Sequence, residues 1–322
     1  MLKKSILQTI AYFDLFDFPL TAEEIQENLY KIFRPVHIKE VKGTLQQMLD
    51  TDVIENLKDY HVLKGRANLV ETRKRHRFIA EKFWNRVKLY SRLIHNIPFV
   101  RMIAVCNTLA YDNPKEDSDI DLFIVIEKGR MWFARLFITL TLQFFGVRRH
   151  GEYVTGRFCL SFFACPERLN LAPLLIETED PYLAYWAKQL SPISGEPYYQ
   201  MFLKENSVWL SSYFQLPILP QLKHLDIEKQ GGFKRVLEFI FGGFIGNFCE
   251  WILKKTFKKL TLRHSKHLPQ TAHVVIEDEL LKFHNYDRRR EYYERWKEAV
   301  ATREPLLSAQ NTGSENSDPP NS

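Results

Sequence analysis

One short stretch of this chain, SDIDL at residues 118–122, constrains the fold more than any other. It leads into the apolar run 123–126, which is typical of a buried strand. Side chains alternate between the faces of a strand, so Asp119 and Asp121 should share one face. Two carboxylates held this close repel each other unless a cation lies between them, and hard divalent cations prefer such oxygens. The stretch therefore predicts a metal site at the edge of a sheet.

The residues before this pair complete a strand, a turn and a second strand. Phe99 to Val105 predicts a short buried strand, which Asn107 and Thr108 follow closely. Turn-forming residues from Leu109 to Ser118 then lead to Asp119. Asn tolerates positive φ better than any residue except Gly, so a tight turn at Asn107 is expected.

This arrangement resembles the signature of the DNA polymerase beta-like nucleotidyltransferase superfamily, over roughly Phe99 to Ala164. In that signature a strand, a Gly-Ser or Gly-Gly turn and a spacer precede an Asp-hydrophobic-acidic pattern on the next strand. Asn107 stands where the family has Gly. Thr108 keeps the hydroxyl that the family directs at nucleotide phosphates.

The resemblance implies a nucleoside triphosphate bound over this turn, against Asn107, Thr108 and Ser118. It also implies that Asp119 and Asp121 are the catalytic carboxylates and hold Mg²⁺ or Mn²⁺, which bridges the phosphates. Active members of the family often carry a third carboxylate on the neighbouring strand.

The chain departs from the family on that third strand, which residues 153–164 predict. The candidate positions are Cys159, Ser161 and Phe163, and none is acidic. The nearest acidic residues, Glu152 and Glu167, only flank the strand. Two interpretations stay open. The site is either a two-carboxylate variant that acts slowly or on a special acceptor, or a domain that has lost catalysis and kept nucleotide binding.

The composition suits a partner rich in phosphate, because the net charge is +6 and the pI is about 9.0. The four cysteines form no CxxC pair, and the N-terminus does not read as a secretory leader. We therefore expect a reduced, cytoplasmic protein without structural zinc. The sequence also lacks a Walker-type loop and a dinucleotide fingerprint, which argues against P-loop ATPases and dinucleotide-dependent redox enzymes.

The N-terminal segment predicts a winged-helix-like domain. Helices at residues 5–16, 21–30 and 37–50 precede a hairpin of residues 53–57 and 60–63. In such domains the third helix can enter a DNA groove, but here its basic residues are balanced by acidic ones. DNA binding and contact with a protein partner both stay open.

The densest basic cluster of the chain, Arg73 to Arg77, falls in a predicted bridging helix. A solvated helix face and a contact with phosphate or nucleic acid both fit such a cluster.

Two apolar stretches approach the length of a membrane span without reaching it. Leu136 to Val147 is too short, and Glu238 and Glu250 interrupt Val236 to Leu253. Both stretches predict core helices, so no stable membrane span is expected. Attachment of the second stretch to a membrane stays open because four lysines follow it, Lys254, Lys255, Lys258 and Lys259.

The C-terminal part predicts further helices. His284, Asp287 and Arg288 have the spacing of one helix face, which makes them candidates for lining the active cleft. A structural role for the histidine is the alternative. Residues 302–322 lack aromatic side chains and are rich in Ser, Asn, Pro and Glu, which predicts disorder.

We predict an α+β fold, in which a small mixed-sheet nucleotidyltransferase core is flanked by a winged-helix-like domain and a C-terminal helical region. The predicted segments are residues 1–65 (winged-helix-like), 66–97 (basic bridging helix), 98–170 (core), 171–301 (helical region) and 302–322 (disordered tail).

Three functions follow from these features. The first is a metal-dependent nucleotidyltransferase that moves a nucleoside monophosphate from a triphosphate to a hydroxyl of a small molecule, protein or nucleic acid. The alternative is a nucleotide-sensing or DNA- or partner-binding regulatory protein with a catalytically impaired domain. A scaffold with an incidental aspartate pair is the third.

Overall fold

The computed structural model describes residues 1–176, 179–218, 221–222, 224, 231–265, 273–284 and 287–307. The fold is mixed α+β with a mixed sheet, which confirms the predicted class. The chain forms two compact units. The first contains Met1–Arg75, Leu210–Pro217 and the residues from Arg290 onward, and the second contains His76–Trp209 and Ile218–Arg289.

The described helices are α1 Leu2–Asp14, α2 Ala22–Glu27, α3 Ile38–Leu49, α4 Leu69–His95, α5 Met131–Phe144, α6 Pro181–Lys188, α7 Glu196–Leu210, α8 Gly232–Gly242, α9 Phe244–Leu253, α10 Lys259–Ser265 and α11 Arg289–Arg303. The described strands are β1 Leu20–Thr21, β2 Ile54–Leu57, β3 Tyr60–Leu63, β4 Val100–Val105, β5 Ile120–Ile126, β6 Phe158–Ala164, β7 Ser191–Ser194, β8 His273–Ile276 and β9 Leu280–His284.

The first unit contains the three predicted helices and the predicted hairpin. Thr21 caps α2 and His37 caps α3, each in a reciprocal capping box that satisfies free N–H groups at the helix start. The hairpin gains a third strand, in the order β1-β3-β2. The second helix is shorter than predicted, because its chain leaves helical geometry at Asn28.

Helix α11 belongs to this first unit, although the sequence placed it in a C-terminal helical region. The reason is aromatic packing. Trp296 lies 5.1 Å from the Tyr30 ring, between ring centroids, and donates a 2.9 Å hydrogen bond to the carbonyl of Gln8. The sequence predicted disorder from residue 302 onward, but the helix extends to Arg303 and a 3₁₀ turn at Glu304–Leu307 follows it. The rest of the predicted tail, residues 308–322, lies outside the described residues.

The basic cluster at Arg73 to Arg77 does not form a single cationic surface. The Arg73 guanidinium pairs with the Glu24 carboxylate and stacks on the rings of Phe18 and Tyr60. His76 is buried and shares a 2.7 Å hydrogen bond with Asn113. Arg73 and His76 are therefore structural, whereas Lys74, Arg75 and Arg77 are exposed.

The second unit is built on a six-stranded sheet in the order β7-β4-β5-β6-β9-β8. Strands β5 and β6 are parallel, and the other neighbours are antiparallel. The sequence predicted β4, β5 and β6, but it missed β7 and β9. These two are short, and Pro192 interrupts β7. The apolar residues of β4 and β5 form the centre of the core.

The two apolar stretches are not the buried core helices that the sequence predicted. Helix α5 buries one face, but Leu140 and Phe144 on its other face are exposed. Within α8 and α9 only Lys234, Gly246 and Glu250 are buried. Apolar composition indicates neither which way a helix faces nor what covers it.

Among the described residues, no single helix is both long enough and apolar enough to cross a bilayer. The segments Gly232–Gly242 and Phe244–Arg263 pass that test only as a pair, and they are bent by 81° to each other.

Candidate metal centre

Asp119 and Asp121 lie at the start of β5, where the sequence predicted them. Asp119 directly precedes the strand and Asp121 is its second residue. Ile120 and Leu122 alternate with them and are fully buried in the core. The pleat of one strand thus separates the carboxylates from the apolar layer.

The third member of the cluster is Cys159, on the parallel neighbour strand β6. It stands directly opposite Asp121 in the strand register. One ligand atom from each of Asp119, Asp121 and Cys159 lies within 4.8 Å of the other two. The predicted third-carboxylate position is therefore occupied by a thiol. Sequence reasoning identified this position but set it aside because it is not acidic.

Burial and repulsion by neighbouring carboxylates raise the pKa values of Asp121 and Cys159. Burial raises the pKa of Asp121 to about 6, and the neighbouring Asp119 charge acts in the same direction. Burial also holds the pKa of the Cys159 thiol well above its ordinary range, and the two carboxylates raise it further. A divalent cation would stabilise the ionised form of all three groups.

The turn after β4 supports the cluster through Asn107. This residue has a positive φ of 57°, the backbone conformation that the sequence predicted for it. Its side-chain amide donates a 2.7 Å hydrogen bond from Nδ2 to Oδ2 of Asp121. The amide Oδ1 is buried and has no hydrogen-bond partner among the described residues. Asn107 thus acts on the carboxylate directly, beyond the turn-forming role assigned from the sequence.

Arg149 is a cation that the sequence did not single out. Its Nη1 lies 2.5 Å from Oδ2 of Asp119 and 3.8 Å from Sγ of Cys159. It precedes β6 in an irregular segment, so no strand or helix periodicity points to it. The only signal was a pair of arginines, Arg148 and Arg149, shortly before the third strand.

The other two predicted nucleotide contacts lie on the loop between β4 and β5. Thr108 is in the short 3₁₀ helix Asn107–Tyr111, and its carbonyl accepts a 2.8 Å hydrogen bond from the amide of Asn113. Ser118 directly precedes Asp119, and its Oγ accepts a 2.9 Å hydrogen bond from the amide of Lys115. Both residues are therefore held next to the cluster by local turn bonds.

The predicted cleft residues do not share a helix face. His284 is the last residue of β9, paired with His273, and its side chain lies outside the described residues. Asp287 and Arg288 precede α11. The Asp287 carboxylate accepts a 2.6 Å hydrogen bond from Nη2 of Arg289. These residues belong to a strand end and a loop, so the predicted shared helix face does not form.

The donor set of the cluster is two carboxylate oxygens and one sulfur. Mg²⁺ and Mn²⁺ prefer oxygen ligands, whereas thiolates favour Zn²⁺ and other softer cations. The residues therefore fit a divalent cation, with a bias toward borderline metals that an all-carboxylate site would lack.

Comparisons of the chain with protein-family models, with curated proteins and with solved structures found no match.

Proposed function

We propose that the chain is a metal-dependent nucleotidyltransferase whose divalent cation is held by Asp119, Asp121 and Cys159. The observation that carries this proposal is the convergence of these three ligand atoms within 4.8 Å, at the N-terminal ends of the central strands β5 and β6. The turn at Asn107 and Thr108 supports it, because a tight turn after a strand offers backbone N–H groups to phosphate.

The roles of the chain's own residues follow from their positions. Asn107 orients the Asp121 carboxylate through its 2.7 Å hydrogen bond. Arg149 contacts Asp119 and Cys159 and is the cation best placed to turn toward the phosphates of a triphosphate. A bound divalent cation supplies stabilisation of the charge that develops around the α-phosphorus.

In the proposed reaction an acceptor hydroxyl oxygen bonds to the α-phosphorus of the triphosphate. The bond from that phosphorus to the bridging oxygen breaks, pyrophosphate leaves, and the hydroxyl proton passes to solvent. The acceptor class is a small molecule, a protein hydroxyl or a nucleic-acid end.

A nucleotide-sensing role is the second candidate. It is favoured by the thiol at the position where a third carboxylate would assist deprotonation of the acceptor. The raised pKa of Cys159 keeps that thiol protonated near neutral pH unless a cation binds, so it is a poor base. In this role the first unit would contact DNA or a protein partner.

The test uses the full chain with each common nucleoside triphosphate, in the presence of Mg²⁺, Mn²⁺ or Zn²⁺. Pyrophosphate release and incorporation of label from α-labelled triphosphate are measured. We expect Asp119→Asn and Asp121→Asn to abolish both signals, whereas Asp117→Asn, an exposed aspartate on the same loop, should retain them.

Wild-type activity in either cluster variant would overturn the proposed mechanism. Binding of a triphosphate by the wild-type chain, lost in both cluster variants and accompanied by no pyrophosphate release, would establish the sensing role instead.

A further inference from the structure

Helices α8 and α9 are attached to the body of the second unit through polar side chains, together with the partly buried Phe241, Cys249 and Leu253. Lys234 of α8 is buried and donates hydrogen bonds of 2.8 and 2.6 Å to the carbonyls of His95 and Val100. Glu238, one turn further on, accepts 2.7 Å bonds from the Phe99 amide and the Arg101 guanidinium. Phe241 also packs inward, 5.1 Å from the Phe133 ring between centroids, so the inner face of α8 carries both charged and apolar side chains.

Helix α9 is also held to the protein body by an inward acidic side chain. Its single acid, Glu250, is buried, and its carboxylate accepts hydrogen bonds from the amides of Trp132 and Phe133 at 3.0 and 2.8 Å. These amides are in the first turn of α5, so Glu250 satisfies its free N–H groups and complements its dipole. Both acids that interrupt the apolar stretch thus point inward.

The outer faces of the two helices are apolar and exposed. On α8 the exposed apolar residues recur at three- and four-residue spacing, and they are Phe233, Val236, Phe239 and Ile240. On α9 they are Phe244, Ile245, Phe248, Trp251 and Ile252. A surface helix in water turns its apolar stripe toward the core, whereas here most of the apolar side chains face outward. We call these nine residues the outer apolar face.

The most exposed members of the outer apolar face flank the bend between the helices. Phe239 is 89% exposed and Phe244 is 85% exposed, on either side of Gly242 and Gly243. The two helical segments are bent by 81° there, so the two phenylalanines lie on either side of a sharp bend. Contiguous exposed patches of this kind mark interaction surfaces.

A cationic cavity adjoins the outer apolar face at the far end of α9. It has a volume of about 660 Å³ and is lined by Trp251, Leu262, four lysines and Arg263. The lysines are Lys254, Lys255, Lys258 and Lys259. Asp278 pairs with Lys254 and Lys258 at 2.6 and 2.8 Å, and the remaining charge is positive. Tryptophan and lysine together with exposed phenylalanine are typical of protein segments that lie at a membrane–water interface.

The dimensions favour attachment to one surface over crossing. Helix α8 has 11 residues, roughly 16 Å of rise, about half of a hydrocarbon core. The apolar part of the second segment ends at Leu253, and cations follow it at once. The inner charged contacts also hold both helices on the protein body.

We propose that the outer apolar face and the adjoining cationic cavity dock the protein on an anionic lipid bilayer. The phenylalanines at the bend enter the region below the headgroups, and the lysines meet acidic headgroups. This inference does not depend on the chemistry of the metal centre.

The test is co-sedimentation of the full chain with two kinds of vesicle, phosphatidylcholine alone and phosphatidylcholine with phosphatidylserine. We expect binding to the anionic vesicles that weakens with salt, and little binding to the neutral ones. Phe239→Ser with Phe244→Ser should weaken binding by about tenfold or more, because the transfer of both rings is lost.

Charge is tested with Lys255→Glu combined with Lys259→Glu, since neither lysine pairs with Asp278. Each basic residue near an anionic surface contributes about fivefold in binding, so reversing two should cost at least about thirtyfold. The matched controls are Phe33→Ser, another exposed phenylalanine, and Lys39→Glu combined with Lys88→Glu. Both controls should bind as wild type does.

Equal sedimentation of wild type and both test variants would overturn the proposal. So would the absence of vesicle binding together with a concentration-dependent dimer that Phe239→Ser with Phe244→Ser dissolves, because the face would then join two copies. Folding of each variant is checked by its thermal transition. Since the altered residues are exposed, an unchanged transition is expected.

Discussion

Under the proposed function, Cys159 sets which cation the cluster prefers. A carboxylate in its place would complete an all-oxygen site, whereas sulfur adds a soft ligand opposite Asp121. Divalent ions already bind mixed sites in an order that favours Zn²⁺ over Mn²⁺, and a thiolate widens that difference.

We predict that Cys159→Ser lowers Zn²⁺ affinity by at least about tenfold and leaves Mg²⁺ affinity nearly unchanged. Cys159→Asp should raise Mg²⁺ affinity, because it supplies the third carboxylate. Titration calorimetry gives the affinities, and the thiolate-to-metal absorption of bound Co²⁺ shows whether sulfur is a ligand. Cys249→Ser is the matched control. A Co²⁺ spectrum that is unchanged by Cys159→Ser would contradict the assignment.

The raised pKa of Asp121 predicts an effect of pH on stability. The folded pKa is about 6, above the ordinary value of 3.8, so between these values the folded chain holds a proton that the unfolded chain has lost. Without added metal, stability should therefore fall as pH rises through this window. Asp121→Asn should remove that part of the slope in a series of thermal transitions.

A divalent cation should reverse this trend, because it binds the ionised carboxylate. Its stabilising effect on the midpoint temperature should grow as pH rises toward about 6. Below that pH, the affinity for the cation should fall about tenfold for each pH unit. Parallel pH profiles for wild type and Asp121→Asn would refute the assigned shift.

The sequence predicted part of this site and missed the rest for a definite reason. Strand alternation is local, so it correctly placed Asp119 and Asp121 together. The contact of Arg149 with Asp119 joins residues 30 apart in the chain, and no local pattern encodes it. Cys159 lies on the predicted third strand, but a pattern that requires an acidic residue at this position does not include a thiol.

At the scale of elements, a buried ionic network fixes the start of α11. Nη1 of Arg289 donates hydrogen bonds of 2.8 Å to Asp180 and 2.9 Å to the Leu174 carbonyl, and its Nη2 donates to Asp287. Asp180 also caps α6 through the Leu183 amide. Within the second unit, one guanidinium thus links the N-terminal cap of α6 with the Leu174 carbonyl and Asp287.

We predict that Arg289→Leu destabilises the protein by about 3–5 kcal/mol, because it leaves the buried Asp180 carboxylate without its partner. Adding Asp180→Asn should recover part of the loss. Arg295→Leu removes an exposed i,i+4 pair with Glu291 and should cost less than about 0.5 kcal/mol. Urea unfolding measures all three, and equal losses for Arg289→Leu and Arg295→Leu would contradict the network's importance.

Whether an element could be predicted depended on the sequence separation of the contacts that form it. Capping boxes and hydrophobic periodicity are local, and the helices α1 and α3 were predicted within a few residues. Strand β7 pairs with the distant β4, and β9 pairs with the distant β6 as well as with its neighbour β8, so their short sequences carried little signal. The outer apolar face was missed because its apolar residues matched those of a core helix.

At the scale of the whole molecule, the first unit is completed by a segment from the far end of the chain. Trp296 is buried against Tyr30, and Tyr292 lies 5.2 Å from Phe16, between ring centroids. The N-terminal residues therefore do not supply the whole of their own core.

We predict that Trp296→Ala destabilises the first unit by about 3–5 kcal/mol, through the cavity it leaves and the lost hydrogen bond to Gln8. Trp251→Ala, at an indole that is 56% exposed, should change stability by no more than about 0.5 kcal/mol. Denaturant unfolding monitored by circular dichroism compares the two. A similar loss for both would show that α11 is not needed for this core.

The inward charges of α8 and α9 also affect how freely this part of the sequence can change. A helix held by a packed apolar stripe cannot exchange its phenylalanines without loosening the fold. Here Lys234, Glu238 and Glu250 hold the helices together with inward apolar residues such as Phe241, so the outward side chains can be substituted while the architecture is kept. Natural selection can therefore adjust what this protein adheres to independently of how it folds.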